Sequence, residues 1–413
     1  MAQPALAVLN GRASRENERR PHSGLHARGA GTKERISLLK RRGFFAEIPV
    51  RMGIPEEHLP PCCSSPGHQA SRRRFGVLVF PRRPRPSRRS VLAGARWLAQ
   101  LALLILSSGC LHLREASKPR PPQPVPARIL EAVTYARPDL LICTVSNLEC
   151  NARFSIQRIS MQANANHTST NRTLILDYYR PKSTNRVAVV LVLPIIGGGY
   201  PLEKYFCAYF ARHGLAAVLV RRDRLRTPDH LAEIDDLLRQ AALDSRQALD
   251  WVETRPELDP QRAGIFGISM GGIRAAFLTP LDPRIRASII GLAGGDLPYI
   301  VSYSKEPGIT RRRRAYMEKN KITLEEFHEG LKPVMLSDPL NVAPSIDPDK
   351  VLLVLATFDT AVPSRKGFEL RRAMGTPETI IVPTGHYTAL LYVPYIQASC
   401  LRFFHEKLGR DPE

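Results

Sequence analysis

The chain has 413 residues and a formal charge of +22, too long for one ordinary domain and short for three. Residues 1–109 hold 20 Lys+Arg against 6 Asp+Glu, and the remaining 304 residues hold 40 against 32. The basic excess therefore belongs mainly to the front, which argues against a nucleic-acid-binding core, whose charge clusters on the folded domain.

Residues 1–86 are rich in Arg, Pro, Gly and Ser and show no sustained helix or strand period. They predict a disordered basic leader, or else a true start at Met52 or at a non-Met codon. Ser87-Arg88-Arg89-Ser90-Val91-Leu92 then gives a paired arginine followed by apolar residues, and residues 97–113 carry no charge. A positive region, a short apolar run and a small-residue site form the pattern of an export signal over 87–110. Arg96 and Gln100 cut the apolar run below the roughly 20 residues of a spanning helix. Leu106-Ser107-Ser108-Gly109-Cys110 resembles the lipobox of bacterial lipoproteins, with Ser107 where a branched aliphatic residue is usual. Residues 87–92 resemble a twin-arginine signal. These resemblances imply acylation of Cys110 and anchorage to the membrane of a bacterial cell envelope, facing the periplasm or exterior. An uncleaved anchor helix is one alternative, and no anchor at all is the other.

Residues 111–154 read as a Pro-rich linker and a segment of unassigned structure. Cys143 and Cys150 flank a six-residue stretch read as a loop; they either pair in an oxidising compartment or stay separate thiols. Cys207 and Cys400 fall on apolar helical faces, as core residues do. No Cys/His spacing suggests zinc.

From Ser155 to about 410 the pattern predicts one α/β domain of eight short strands, roughly 155–162, 174–179, 187–193, 215–220, 263–268, 287–292, 351–357 and 379–382. The middle ones (VAVVLVL, LAAVLV, AGIFGI, ASIIGL, VLLVLAT) are continuously apolar, as strands of a parallel sheet buried on both faces must be. Helical stretches separate them. Leu202, Tyr205, Phe206, Tyr209 and Phe210 form one stripe closed by Gly214. Thr227-Pro228 reads as the start of a second helix carrying Leu231, Ile234, Leu238, Ala241, Ala248 and Val252 on one face. This alternation gives a mostly parallel sheet flanked by helices. Residues 297–345 exceed a simple crossover. Residues 311–332 read as helical, with Thr323 and Glu326 as a capping box. The insertion is expected to form a small helical lid, or else a decorated crossover away from the site. Arg311-Arg312-Arg313-Arg314 reads as a solvated face, with a phosphate or lipid-headgroup role as the alternative.

Gly267-Ile268-Ser269-Met270-Gly271 follows the strand 263–268 and opens a helix. A serine there sits on a tight strand-to-helix turn with its hydroxyl pushed out of the sheet. A hydroxyl is a poor nucleophile until an imidazole takes its proton and a carboxylate fixes that imidazole. Asp359 directly follows the strand 351–357, with Asp296 as rival acid or a helix-capping role as the duller reading. His386, in Pro383-Thr384-Gly385-His386, follows the last strand, whereas His405 falls on the terminal helix. An oxyanion would need the Met270 amide and a second donor from the loop 194–200, Ile196 or Gly197.

Together, LVLPIIGGGY at 191–200, ARHGLAAVLV at 211–220, ALDWVETRPELDPQRAGIFGISMGG at 248–272, TFDTAVP at 357–363 and PTGHY at 383–387 resemble the α/β-hydrolase superfamily. The nearest branch is that of dienelactone-hydrolase-like and prolyl-oligopeptidase-like serine hydrolases. The resemblance puts nucleophile, acid and base after strands five, seven and eight, the places of Ser269, Asp359 and His386. It implies an α/β-hydrolase fold and a serine carboxylesterase acting on a small-molecule ester, with no metal or cofactor and no nucleic-acid partner. Departures are a serine where dienelactone hydrolases carry cysteine, Pro194-Ile195 where many relatives have His-Gly, and no room for a propeller after Cys110. A peptidase or thioesterase on the same fold is the alternative, and a non-catalytic envelope-tethered binding protein is a third reading.

Overall fold

The structure is a computed structural model that describes residues 109–114, 121–137, 141–163, 172–222 and 227–409. The basic leader, the twin arginine, the apolar run before Gly109, and Cys62 and Cys63 lie outside the described residues.

One sheet of ten strands organises the described chain. In chain order the strands are β1 (Leu111–Leu113), β2 (Cys143–Cys150), β3 (Phe154–Ala163), β4 (Arg172–Pro181), β5 (Val187–Leu193), β6 (Ala216–Val220), β7 (Leu258–Ile268), β8 (Ile285–Gly291), β9 (Val351–Ala356) and β10 (Glu378–Val382). Their spatial order is β1-β10-β9-β8-β7-β5-β6-β4-β3-β2. The six from β10 to β6 run parallel, and β1, β4, β3 and β2 are antiparallel to their neighbours. Continuous apolar strands fit this centre because both faces are covered. Along β5, Val187, Val189, Leu191 and Leu193 enter one core layer, and Ala188, Val190 and Val192 enter the other.

The helices α1 (Ala127–Ala132), α2 (Pro201–Arg212), α3 (Ala232–Glu253), α4 (Met270–Leu278), α5 (Leu297–Tyr303), α6 (Pro307–Asn320), α7 (Leu324–Leu331), α8 (Ser364–Ala373) and α9 (Val393–Leu408) accompany the sheet. Phe206 and Phe210 of α2 meet Phe404 of α9 and Phe266 of β7 in one aromatic layer. Cys207 and Cys400 are fully buried there. Gly214 takes φ +82° after α2, the left-handed exit the sequence suggests.

Four expectations need correction. The sheet has ten strands rather than eight, because β1 and β2 come from the 111–154 segment read as linker. β2 is almost wholly exposed, so it shows no burial period, and its pairing with β3 alone makes it a strand. Cys143 and Cys150 therefore end one extended strand instead of flanking a loop. Eight extended residues keep them roughly 23 Å apart, and both are free thiols. The helix expected from Thr227 begins at Ala232, because Pro228 is buried against a cavity wall instead of opening a helix. The helical stretch 311–332 is two helices, α6 and α7, broken where Lys321 takes φ 55°. The capping box is present: Thr323 Oγ1 accepts from Glu326 N–H at 3.2 Å, and Glu326 Oε2 accepts from Thr323 N–H at 2.8 Å.

Candidate active site

The chain runs from β5 to β6 on one side of β5, and β7 pairs on the other. The carboxyl ends of strands at such a reversal form a crevice. Ser269 follows β7 there with φ 57° and ψ −123°. Few residues bearing a Cβ adopt this backbone, which stores strain of order 1–3 kcal/mol. Packing enforces it. A Cβ on Gly267 would stand 2.1 Å from the Gly271 carbonyl oxygen, and one on Gly271 would stand 2.3 Å from that of Leu193. The Ser269 amide donates to Gly291 O at 2.8 Å, fixing the turn to β8.

Asp359 and His386 lie in the loops that follow β9 and β10. The Asp359 carboxylate is buried, and its Oδ1 accepts from the amides of Ala361 and Val362, both at 2.9 Å. Its other oxygen lies 2.6 Å from His386 Nδ1. The opposite imidazole nitrogen, Nε2, lies 3.0 Å from Ser269 Oγ. With the Nδ1 proton on the carboxylate side, Nε2 accepts from the serine hydroxyl. Phe358 N–H donates to Thr384 O at 2.9 Å, joining the loops that carry acid and imidazole. Asp296 is elsewhere: it caps α5 through Tyr299 N–H and pairs with Lys366. The structure thus brings Ser269, Asp359 and His386 together and leaves the rival acid apart.

Met270 opens α4, where first-turn amides lack intrahelical partners. Across the crevice, the β5–α2 loop is held from behind by Arg222. Its guanidinium donates to Ile195 O at 3.2 Å, to Gly197 O at 2.7 Å and to Ile196 O. A trans peptide puts its carbonyl and its amide on opposite sides. Drawing the Ile195 and Ile196 carbonyls toward Arg222 therefore turns the Ile196 and Gly197 N–H groups away from it. Ile195 N–H is itself occupied, donating to Glu203 Oε1 at 2.7 Å. Burial pushes the Glu203 carboxyl above the ordinary carboxylate range. The sequence reading missed both Arg222 and Glu203, since nothing in their local pattern marks them.

Two cavities meet at Ser269. The first, about 150 Å³, has an apolar wall including Ile234, Leu238, Ile273 and Phe327, with Arg274, Arg312, Arg313 and Glu306 at its edges. The second, about 360 Å³, includes His386, Tyr387, Leu202 and Leu390. Ile196 borders both. Helices α5, α6 and α7 of the insertion all contribute to the first. The arginine run is divided: Arg312 and Arg313 are half-buried at the cavity, while Arg311 and Arg314 are exposed. Among the described residues no group of three His, Cys, Asp or Glu side chains stands close enough to hold a metal ion.

No model of a protein family matches the chain, and no curated protein does. Solved structures do match. An acetyl xylan esterase from Paenibacillus sp. R4 aligns with a TM-score of 0.54 at 18% identity, over 67% of this chain and 92% of that one. Acetyl xylan esterase 1 from Thermoanaerobacterium sp. JW/SL YS485 aligns with a TM-score of 0.50 at 17% identity, over 68% of this chain and 92% of that one. The likeness establishes the α/β-hydrolase fold.

Proposed function

We propose that this α/β-hydrolase-fold chain is a serine hydrolase of carboxylic esters, with Ser269 as nucleophile, His386 as base and Asp359 as the group that orients His386. The observation that carries the reading is the unbroken relay from Asp359 Oδ2 through both imidazole nitrogens to Ser269 Oγ, at 2.6 and 3.0 Å. Ser269 Oγ attacks the ester carbonyl as its proton passes to His386 Nε2. The amides of Met270 and of Ile196 or Gly197 receive the carbonyl oxygen as it gains charge. Collapse breaks the ester C–O bond, and His386 gives its proton to the departing alcohol. Water then attacks the acyl-serine by the same proton route, releasing the acid and restoring the hydroxyl. The names of the two structural relatives support an ester over a peptide or thioester bond. Treating the purified protein with a fluorophosphonate and assaying p-nitrophenyl esters tests this. Label and turnover are expected in the native protein and absent from Ser269→Ala; label surviving that substitution removes Ser269 from the role.

We also propose that the chain is tethered to a bacterial envelope membrane through an acylated Cys110. The lipobox-like residues before it support this, as does its place one residue ahead of β1, the edge strand of the sheet.

A further inference from the structure

The first cavity contains a cation without a counterpart. Arg274 lies on α4 five residues past Ser269, about 7.5 Å along the helix axis, and is only 6% exposed. Its Nε has no hydrogen-bond partner, and no ion pair reaches its guanidinium among the described residues. The neighbouring charges are committed elsewhere. The acid that acts on it is Asp244, which takes both Nη atoms of Arg172 and the amide of Gln240. Glu306, at the cavity edge, caps α6 through Ile309 N–H at 2.6 Å. Arg312 donates to Gly308 O, and Arg313 donates to the carbonyls of Val301 and Ser304. Burial and the nearby Arg222 push Arg274 down to about 10, which still leaves it charged at neutral pH. Two part-buried arginines among the described residues are paired: Arg172 with Asp244, and Arg284 with Asp250 and Asp282. A buried charge with no partner costs several kcal/mol, and a methionine of similar length would fill the space without that cost.

The two halves of an ester must part on different sides of Ser269. His386 hands its proton to the leaving alcohol, and His386 borders only the second cavity. The acyl group, which stays on Ser269, therefore falls to the cavity that Arg274 borders. We propose that Arg274 receives a carboxylate at the far end of the acyl chain, so that the preferred substrates are half-esters of dicarboxylic acids. This rests on the serine-ester reading above. Hydrolysis then consumes one water and yields the dicarboxylate, the alcohol and a proton.

Two substrates of equal chain length separate the ideas: mono-p-nitrophenyl adipate and p-nitrophenyl hexanoate. The native protein is expected to prefer the charged ester in kcat/KM by about ten- to a hundredfold, the range a charge-assisted hydrogen bond supplies. Arg274→Met is expected to lose that preference while melting no lower than the native protein. Arg274→Gln, which keeps polarity without charge, should lose it too, and Arg274→Lys should recover part. Equal rates on both esters, across succinate, glutarate and adipate half-esters, overturn the proposal. So does a preference that survives in a folded Arg274→Met. Calorimetry of Ser269→Ala with monomethyl adipate against methyl hexanoate reads the site without turnover. Charge-dependent binding beside a native protein that cleaves neither ester would sink the hydrolase reading and keep the anion site. Hexanoate turnover without charge-dependent binding would do the reverse.

Discussion

Arg222 holds three successive carbonyls of the β5–α2 loop. In the proposed mechanism it positions the amides on the opposite side of those peptides. Losing one oxyanion donor outright costs about a hundred- to a thousandfold in kcat. Arg222→Met, which loosens the donors but keeps them, should lower kcat by about ten- to a hundredfold with KM nearly constant. Steady-state kinetics on a p-nitrophenyl ester decides: a rise in KM at unchanged kcat would move Arg222 to substrate binding. At this scale the sequence is legible where a role has local syntax. Ser269 stands between glycines that only a strained turn requires, Asp359 follows an apolar strand, and His386 follows a glycine after the last strand. Arg222, Glu203 and Arg274 have no such syntax. The partners of Arg222 and Glu203, and the lack of one at Arg274, arise from contacts across different elements.

Among the elements, the insertion depends on a buried carboxylate. Asp338 accepts from the amides of Asp296, Leu297 and Leu340 at 3.0, 2.6 and 2.9 Å, tying the start of α5 to the 3-10 turn Pro339–Asn341. Burial outweighs those three amides and raises its pKa from 3.8 to about 6. A carboxyl whose folded pKa is raised binds its proton more tightly in the folded state. The stability this adds is complete below the ordinary value and is lost as pH rises through about 6. Urea unfolding between pH 4 and 7 should therefore show the native protein losing on the order of 3 kcal/mol relative to Asp338→Asn. Parallel stability profiles for the two proteins would refute that assignment. Elements were legible where burial gave them a period. The central strands and α2 are continuous or striped, but β2 faces solvent along nearly its whole length and offers no pattern to read. The break between α6 and α7 rests on one left-handed lysine, which a helical period averages over.

For the molecule as a whole, the register of its shortest strand matters most. β1 runs antiparallel to β10, with Leu111 opposite Ile381 and Leu113 opposite Thr379. Leu111 therefore lies at the carboxyl rim of the parallel strands, the rim that carries His386 four residues beyond β10. Cys110 packs at the edge of the core layer that holds Phe206, Phe266 and Phe404. Phe358, Tyr387, Leu390 and Leu391, all exposed, come from the loops and the 3-10 turn around that rim. If Cys110 is the tether, Cys110→Ser should leave the membrane fraction and lose incorporation of labelled fatty acid, with esterase activity on soluble esters retained. Unchanged retention and no label would exclude acylation.

A chain moored at that cysteine would hold its crevice against the bilayer instead of out in the surrounding water. It would then meet its substrate as a density per area of lipid, and its rate would fall on dilution with inert lipid even when the amounts of protein and ester stay fixed.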